Sequence, residues 1–397
     1  MKLAKRVQRI KPSPTIAITM KAQSMKAEGI DVIGFGAGEP DFDTPEHIKQ
    51  AAIAALQKGK TKYTPVGGIN ELKDAIIQKL KRDNQLQYAR EEILVSCGGK
   101  HALYNLAQVL LEAGDEVIIP APYWVSYPDQ VLLNDATPVV VSTNEKNGFK
   151  ITPQELEKAI TPKTVAFVLN SPSNPTGSAY AQQELAGLAQ VLIKHKILCI
   201  SDEIYEKLVY DGFQHVSIAS ISPEMKNLTL LVNGASKVYA MTGWRMGFVA
   251  GPKEIISAAT KLQGQVTTNI NSITQWACVE AYNGTQAFLE EWKTEFKKRR
   301  NYIVDRFNKI PGVTCLKPEG AFYVFPNISA YLGKSFEGKK MTTDQDLCAY
   351  LLEKGLVAVV DGMGFGAPGY IRLSYATSMA NIEKGMDRIE KALVALK

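Results

Sequence analysis

Two short motifs place reactive side chains directly after apolar runs of the sequence. SDEIY puts Asp202 and Tyr205 behind the run ILCIS, and NSPSNPTG puts Asn174 behind TVAFVLN. A carboxylate such as Asp202 can keep a nitrogen heterocycle protonated through a charge-assisted contact. Prolines on both sides of Asn174 favour a tight turn, in which the Asn-Pro bond can adopt the cis form. Each motif alone also fits a structural role, as a helix N-cap or an ordinary turn.

Two further motifs carry a glycine pair, a lysine and an arginine. SCGGKHALYNL contains Gly99 and Lys100 where a predicted strand gives way to a predicted helix, and free backbone amides there favour an anion such as phosphate. NGASKVYAMTGWRMG contains Lys237 and, eight residues later, Arg245. A lysine forms Schiff bases when its surroundings lower its pKa, and an arginine can bind phosphate through two parallel hydrogen bonds. A plain turn and a solvated lysine are the structural alternatives.

Together the four motifs supply what pyridoxal 5'-phosphate requires of a protein. That cofactor needs an amine, a carboxylate for its ring nitrogen, hydroxyl and amide partners for its ring oxygen, and donors for its phosphate. The motifs also follow successive predicted strands in chain order. We therefore predict pyridoxal-phosphate chemistry. A nicotinamide-dependent dehydrogenase is disfavoured, because no predicted strand is followed by GxGxxG.

The elements that must position these motifs alternate between strand and helix from about residue 93 to 250. Apolar, β-branched runs predict six strands, at residues 93–97, 116–120, 164–170, 197–201, 228–233 and 247–251. Helical periodicity predicts helices at residues 101–114 and 181–195. This order is typical of an α/β fold with a mostly parallel sheet sandwiched by helices, which binds ligands at the carboxyl ends of its strands.

Outside this block we expect a smaller α+β domain. Residues 285–308 predict a long helix, and we interpret its run KTEFKKRRNY as a solvated face. Strand-like runs then precede a terminal helix. We expect an N-terminal segment at residues 1–40 that packs with the small domain, a large cofactor-binding domain at 41–290 and a small C-terminal domain at 291–397.

Composition narrows the class of protein. Of 397 residues, 45% are hydrophobic and 22% are charged, as in ordinary globular proteins. The net charge is +6, and the basic residues form no long block in the sequence. We therefore expect no nucleic-acid or membrane partner. Five scattered cysteines and the lack of a signal-peptide pattern favour a cytoplasmic location. The chain has only 4 histidines, so we expect another side chain to carry the reacting proton.

The motifs resemble those of the fold type I pyridoxal-phosphate aminotransferases of class I, over nearly the whole chain from KPSPT to RLSYATS. FGAGEPDFDTPEHI, GKTKYTPVGG and PYWVSYP are similar to the bacterial-type aspartate aminotransferase branch, some of whose members also use prephenate. The resemblance implies a homodimer that transfers the amino group of aspartate to 2-oxoglutarate in a ping-pong cycle. An aromatic or alanine aminotransferase, or a β-lyase, is the alternative within this fold. A ligand-sensing regulator is disfavoured, since we expect no DNA-binding domain before Gly34.

The resemblance also implies how the chain holds the cofactor. Lys237 would form the Schiff base and then act as the acid and base of the proton transfer, while Asp202 would keep the ring nitrogen protonated. Trp124 would stack on the ring. Further cofactor contacts would come from Tyr205, Asn174, Gly99, Lys100, Ser236, Arg245 and, from the neighbouring subunit, Tyr63.

For the substrate, the resemblance implies that Arg372 binds the α-carboxylate, which the backbone of Gly38 also approaches. Trp124 and Asn174 would border the same space.

The second substrate carboxylate would meet Lys100, Thr15 and, further out, Lys11. The animal-type branch carries a histidine three residues after the stacking tryptophan, where this chain has Tyr127, which cannot supply the same charge. We identify no counterpart of the arginine that this branch brings from the second subunit, and we expect Lys100 to replace it.

Overall fold

Fourteen strands form the sheets of the computed structural model, which describes residues 2–397. In chain order they are β1 Ile33–Gly34, β2 Ile93–Ser96, β3 Glu116–Ala121, β4 Thr137–Ser142, β5 Thr164–Asn170, β6 Leu198–Asp202, β7 Thr229–Gly234, β8 Gly247–Ala250, β9 Tyr323–Val324, β10 Ser335–Phe336, β11 Lys339–Lys340, β12 Val357–Ala358, β13 Val360–Asp361 and β14 Ile371–Ser374.

The α-helices lie between and around these strands. They are α1 Lys5–Gln8, α2 Pro14–Ala27, α3 Glu46–Gln57, α4 Asn70–Asn84, α5 Gly99–Leu110, α6 Ser126–Leu132, α7 Pro153–Ala159, α8 Gln182–His195, α9 Pro223–Leu228, α10 Lys253–Val266, α11 Ser272–Asn283, α12 Phe288–Asn308, α13 Asp344–Glu353 and α14 Met379–Val394.

Seven strands form the central sheet, in the order β2-β8-β7-β6-β5-β3-β4. Neighbouring strands run parallel except at β8, which is antiparallel to both β2 and β7. The six strands predicted from apolar runs are all present, because strands of a sheet that is covered on both faces have nearly continuous apolar sequences. The strand β4 was not predicted. It forms the partly exposed edge of the sheet, a position that tolerates Pro138.

Helices cover both faces of this sheet. In β3, Val117 packs in a cluster with Leu106 of α5, whereas the adjacent Ile118 packs in another cluster with Leu188 of α8. Successive side chains of a strand point to opposite faces, so the two clusters lie on opposite sides of the sheet. The predicted α/β fold, with a mostly parallel sheet sandwiched by helices, is confirmed.

A second, smaller set of strands lies beyond the central sheet. An antiparallel sheet has the order β13-β14-β9, and β1 pairs in parallel with β12. Phe35, which follows β1, shares an apolar cluster with Phe296 of α12 and with Ile389 of α14. Residues near the N-terminus therefore pack among the C-terminal elements. The division into segments at residues 40 and 290 stays a prediction.

The interpretation of the KTEFKKRRNY run as a solvated face is wrong for two of its arginines. Arg299 and Arg300 in α12 are buried. Arg299 donates to the Asp41 carboxylate at 2.7 Å, and Arg300 to the Asp211 carboxylate at 2.6 Å. Successive helical residues are about 100° apart, so four consecutive charged side chains cannot all face solvent.

Within residues 2–397, no helix combines the length and the apolar character needed to cross a lipid bilayer.

Candidate active site

A cavity of about 270 Å³ lies at the carboxyl edge of the central sheet. The motifs converge there because the loops that follow β2, β5, β6 and β7 all leave that edge. The predicted site residues that line the cavity are Thr15, Gly38, Gly99, Lys100, Trp124, Asn174, Asp202, Tyr205, Ser236, Lys237, Arg245 and Arg372. Two predicted residues, Lys11 and Tyr63, do not line it. Tyr63 is 90% exposed, and its contact with a second subunit stays a prediction.

Asp202 is the last residue of β6 and is buried. The hydroxyl of Tyr127 donates to its Oδ2 at 2.7 Å, and the backbone N–H of Ile204 donates to its Oδ1 at 3.3 Å. Burial raises the pKa of Asp202 to about 6, although the Tyr127 hydrogen bond opposes this shift. Each carboxylate oxygen has more than one lone pair, so Asp202 can accept a further hydrogen bond from a ligand.

Lys237 follows the end of β7 by three residues, and its ammonium donates to the carbonyl of Gly38. Burial lowers the pKa of Lys237 to about 8. The negative charge of Glu39 opposes this shift, whereas the positive charges of Arg372 and Arg245 reinforce it. Lys237 therefore offers more neutral amine near pH 7 than an ordinary lysine, as a nucleophile or a proton acceptor must.

An anion cradle lies where α5 begins. The first amides of a helix, here those of Gly99 and Lys100, have no carbonyl partner one turn earlier and attract anions. Arg245 lies beside them, and its guanidinium donates to the carbonyl of Thr242 at 2.9 Å. At Gly98, with φ +82°, an added Cβ would lie 2.7 Å from that guanidinium. The positive φ favours glycine here, and glycine leaves room for the guanidinium; the resulting donor set fits the phosphate of pyridoxal phosphate.

Arg372 of β14 supplies a second cation to the cavity. It is buried, and it donates to Oδ1 of Asn174 at 3.0 Å and to the carbonyl of Gly36 at 2.6 Å. Its Nε is buried without a hydrogen-bond partner, and no carboxylate in the described part of the chain forms an ion pair with the guanidinium. A buried, unpaired cation is costly, so this geometry suits a carboxylate brought by a substrate.

Lys100 supplies a further cation to the lining of the cavity. The side chain as a whole is exposed, but its ammonium lies 4.8 Å from the centre of the Trp124 ring. Burial of the ammonium lowers the pKa of Lys100, and the positive charge of Arg245 adds to this effect. Thr15, whose hydroxyl lies 2.8 Å from that of Ser13, borders the same cavity.

Tyr323 and Asn170 are two further polar residues of the cavity lining, and neither was predicted from the sequence as a site residue. The Tyr323 hydroxyl lies 2.8 Å from that of Tyr205, and the guanidinium of Arg372 sits 4.7 Å above the Tyr323 ring. Asn170 accepts from the backbone N–H of Asn174 at 2.9 Å and donates to the backbone carbonyl of Asp202 at 2.9 Å. Both residues lie in apolar strand sequences. Their own polar groups were the features of the sequence that could have indicated a place in the site.

Comparison with known proteins identifies the family. The sequence model for aminotransferases of class I and II matches residues 30–389. This chain belongs to that family. An aspartate aminotransferase of Geobacillus stearothermophilus is 54% identical to this aminotransferase chain over 395 residues, covering 100% of both chains. An aspartate/prephenate aminotransferase of Nitrosomonas europaea is 50% identical over 396 residues, covering 99% of this chain and 100% of the relative.

Comparison with solved structures also identifies the aminotransferase fold. The crystal structure of an aspartate aminotransferase from Rhizobium meliloti superposes with a TM-score of 0.97, at 47% identity, and covers 100% of both chains. The resemblance to this family, inferred from motifs in the sequence, is therefore confirmed, as is the fold that it implied.

Proposed function

We propose that this protein is a pyridoxal-phosphate-dependent aminotransferase that moves the amino group of aspartate to 2-oxoglutarate, forming oxaloacetate and glutamate in a ping-pong cycle. One observation carries the proposal: three separate cationic groups, Arg245, Arg372 and Lys100, line one cavity together with the partly buried Lys237. The cofactor with a dicarboxylic substrate presents three anionic groups, a phosphate and two carboxylates. The cationic groups of the cavity and the anionic groups of the ligands therefore match in number.

The residues that would hold the cofactor fit its parts. Arg245 and the first amides of α5 suit the phosphate, helped by Ser236, and Asp202 suits a protonated ring nitrogen. Trp124 would cover the ring face, while Tyr205 and Asn174 would bind the ring oxygen. When bound, pyridoxal phosphate withdraws electrons from the substrate Cα, which eases the loss of its proton.

Lys237 would move that proton. A general base works best when its pKa lies near the working pH, and the pKa of Lys237 at about 8 meets this condition. Arg372 would grip the α-carboxylate with two parallel hydrogen bonds, an interaction that also fixes the direction of the Cα–H bond. Gly38 would approach the same carboxylate through its backbone. No histidine is needed for this transfer.

Lys100 and Thr15 would bind the second carboxylate, which favours aspartate and glutamate over neutral amino acids. Prephenate, a larger dicarboxylate, is a further acceptor in the proposal, with Lys11 as an outer contact. Relatives that are named as aspartate/prephenate aminotransferases support this addition.

We also propose that the enzyme is a cytoplasmic homodimer with shared active sites. Tyr63 would reach the phosphate bound by the second subunit. Its 90% exposure in the single chain supports this assignment, because a large aromatic side chain loses apolar contact when left in water.

The proposal is tested by a panel of half-reactions on the purified holoenzyme. Aspartate, glutamate, alanine and phenylalanine are mixed singly with the enzyme, and the cofactor spectrum is followed; prephenate is offered to the aminated enzyme. We expect the two dicarboxylic amino acids to react fastest. Lys237→Ala should abolish turnover and the absorption band of the lysine-bound cofactor. Full activity of Lys237→Ala would contradict the mechanism, and faster reaction of alanine or phenylalanine would contradict the substrate class.

A further inference from the structure

Tyr127 holds one side of the Asp202 carboxylate. It lies in the first turn of α6, its side chain is buried, and its hydroxyl donates to Oδ2 of Asp202 at 2.7 Å. The backbone N–H of Ile204 donates to the other oxygen, Oδ1, at 3.3 Å. A carboxylate held at both oxygens does not rotate freely, so these two donors fix its plane relative to the cavity.

Tyr127 also contacts Trp124, the residue expected to cover the cofactor ring. The two rings meet edge to face, with centroids 5.4 Å apart and planes at 80°. The backbone N–H of Tyr127 donates to the carbonyl of Trp124 at 3.0 Å. A single buried residue therefore links the group expected at the ring face to Asp202, the group expected at the ring nitrogen.

We propose that Tyr127 is a positioning residue that orients the Asp202 carboxylate to accept a hydrogen bond from the ring nitrogen of the cofactor. The inference rests on the proposed function for the identity of the cofactor. A tyrosine does this without adding a charge. Burial raises the pKa of Tyr127 well above its usual value, and the negative charge of Asp202 adds to this shift, so the hydroxyl keeps its proton and remains a donor.

The test compares two ligands that differ at one ring atom. Cofactor-free full-length protein is titrated with pyridoxal 5'-phosphate and with its 1-deaza analogue, in which carbon replaces the ring nitrogen. Tyr127→Phe removes the hydroxyl but keeps the ring against Trp124. Because a hydrogen bond to a charged group is lost, we expect this variant to bind pyridoxal phosphate about 10- to 100-fold more weakly. Its affinity for the analogue should be unchanged.

A matched control removes a buried hydroxyl elsewhere. In Tyr350→Phe the lost hydroxyl is bonded to the carbonyl of Ala392 at 2.9 Å, so both affinities should equal those of the unmodified protein. A second control places Tyr127→Phe in an Asp202→Asn background. There the substitution should no longer weaken the binding of pyridoxal phosphate, because the carboxylate through which Tyr127 acts is gone.

Several outcomes would overturn the inference. Equal weakening of both ligands would give Tyr127 a packing role only, and so would an undiminished effect in the Asp202→Asn background. Unchanged affinity for pyridoxal phosphate would remove the role altogether. If Tyr127→Phe does not fold, Tyr127→His, which retains a ring N–H donor, should keep the preference for pyridoxal phosphate over the analogue, and loss of that preference would refute the inference. No amino-acid substrate takes part, so these results are independent of whether aspartate is transaminated.

Discussion

Replacing Asp202 with asparagine should stabilise the cofactor-free protein above about pH 6. Burial raises the pKa of Asp202 from 3.8 to about 6 in the folded chain. The difference, about 6 − 3.8, is close to 2 pKa units, which corresponds to about 3 kcal/mol of unfolding free energy at 1.36 kcal/mol per unit. Asparagine keeps nearly the same shape and carries no charge that must be buried.

The sign of this effect follows from proton linkage. Because the pKa is raised on folding, the folded state binds its proton more tightly than the unfolded chain does. Below about pH 4 the carboxyl is neutral in both states, so its burial does not lower the free energy of unfolding. As pH rises through about 6 the folded protein must bury a carboxylate, so its stability falls relative to that of the asparagine variant.

Urea denaturation of both cofactor-free proteins from pH 4 to 8, at one protein concentration, measures this difference. The advantage of Asp202→Asn should grow between pH 4 and 6 and then level off at about 3 kcal/mol. Asp211→Asn is a control for which the change in stability should have the opposite sign. Lys297, Lys317 and Arg300 lower the pKa of Asp211, so its replacement should destabilise the protein at pH 7 and less so in acid. A pH-independent difference for Asp202→Asn, or a less stable variant at pH 7, would refute the reasoning.

Two further substitutions separate the carboxylate sites. Lys100→Met should lower kcat/KM for aspartate about 10- to 100-fold, the usual loss for a hydrogen bond to a charged group, and leave that for phenylalanine nearly unchanged; equal losses would contradict the assignment of the second carboxylate. Arg372→Lys should lower kcat/KM about 100-fold for every amino acid in the same panel, because all carry an α-carboxylate and lysine cannot form the two-pronged contact. If alanine were spared, Arg372 would not be the α-carboxylate site.

Much of the candidate site was predictable because its motifs are local. Asp202 ends a strand, and Lys237 and Asn174 follow one by three or four residues. The apolar sequences of these strands are easy to identify, and parallel strands bring their carboxyl ends to one edge. The edge strand β4 escaped prediction because it is neither fully buried nor continuously apolar. The burial of Arg299 and Arg300 also escaped it, since their carboxylate partners lie far away in the sequence.

The order of most strands and helices, and the positions proposed for phosphate binding at Gly99 and for the Schiff base at Lys237, depend on short stretches of chain, so local sequence was enough to suggest them. Contacts between distant stretches required the folded chain. Tyr127 meets Asp202 from 75 residues away, and Arg372 meets Asn174 from 198 residues away. The pKa shifts of Lys237 and Asp202 belong to this second group, because burial is their main cause and packing of the whole chain creates that burial.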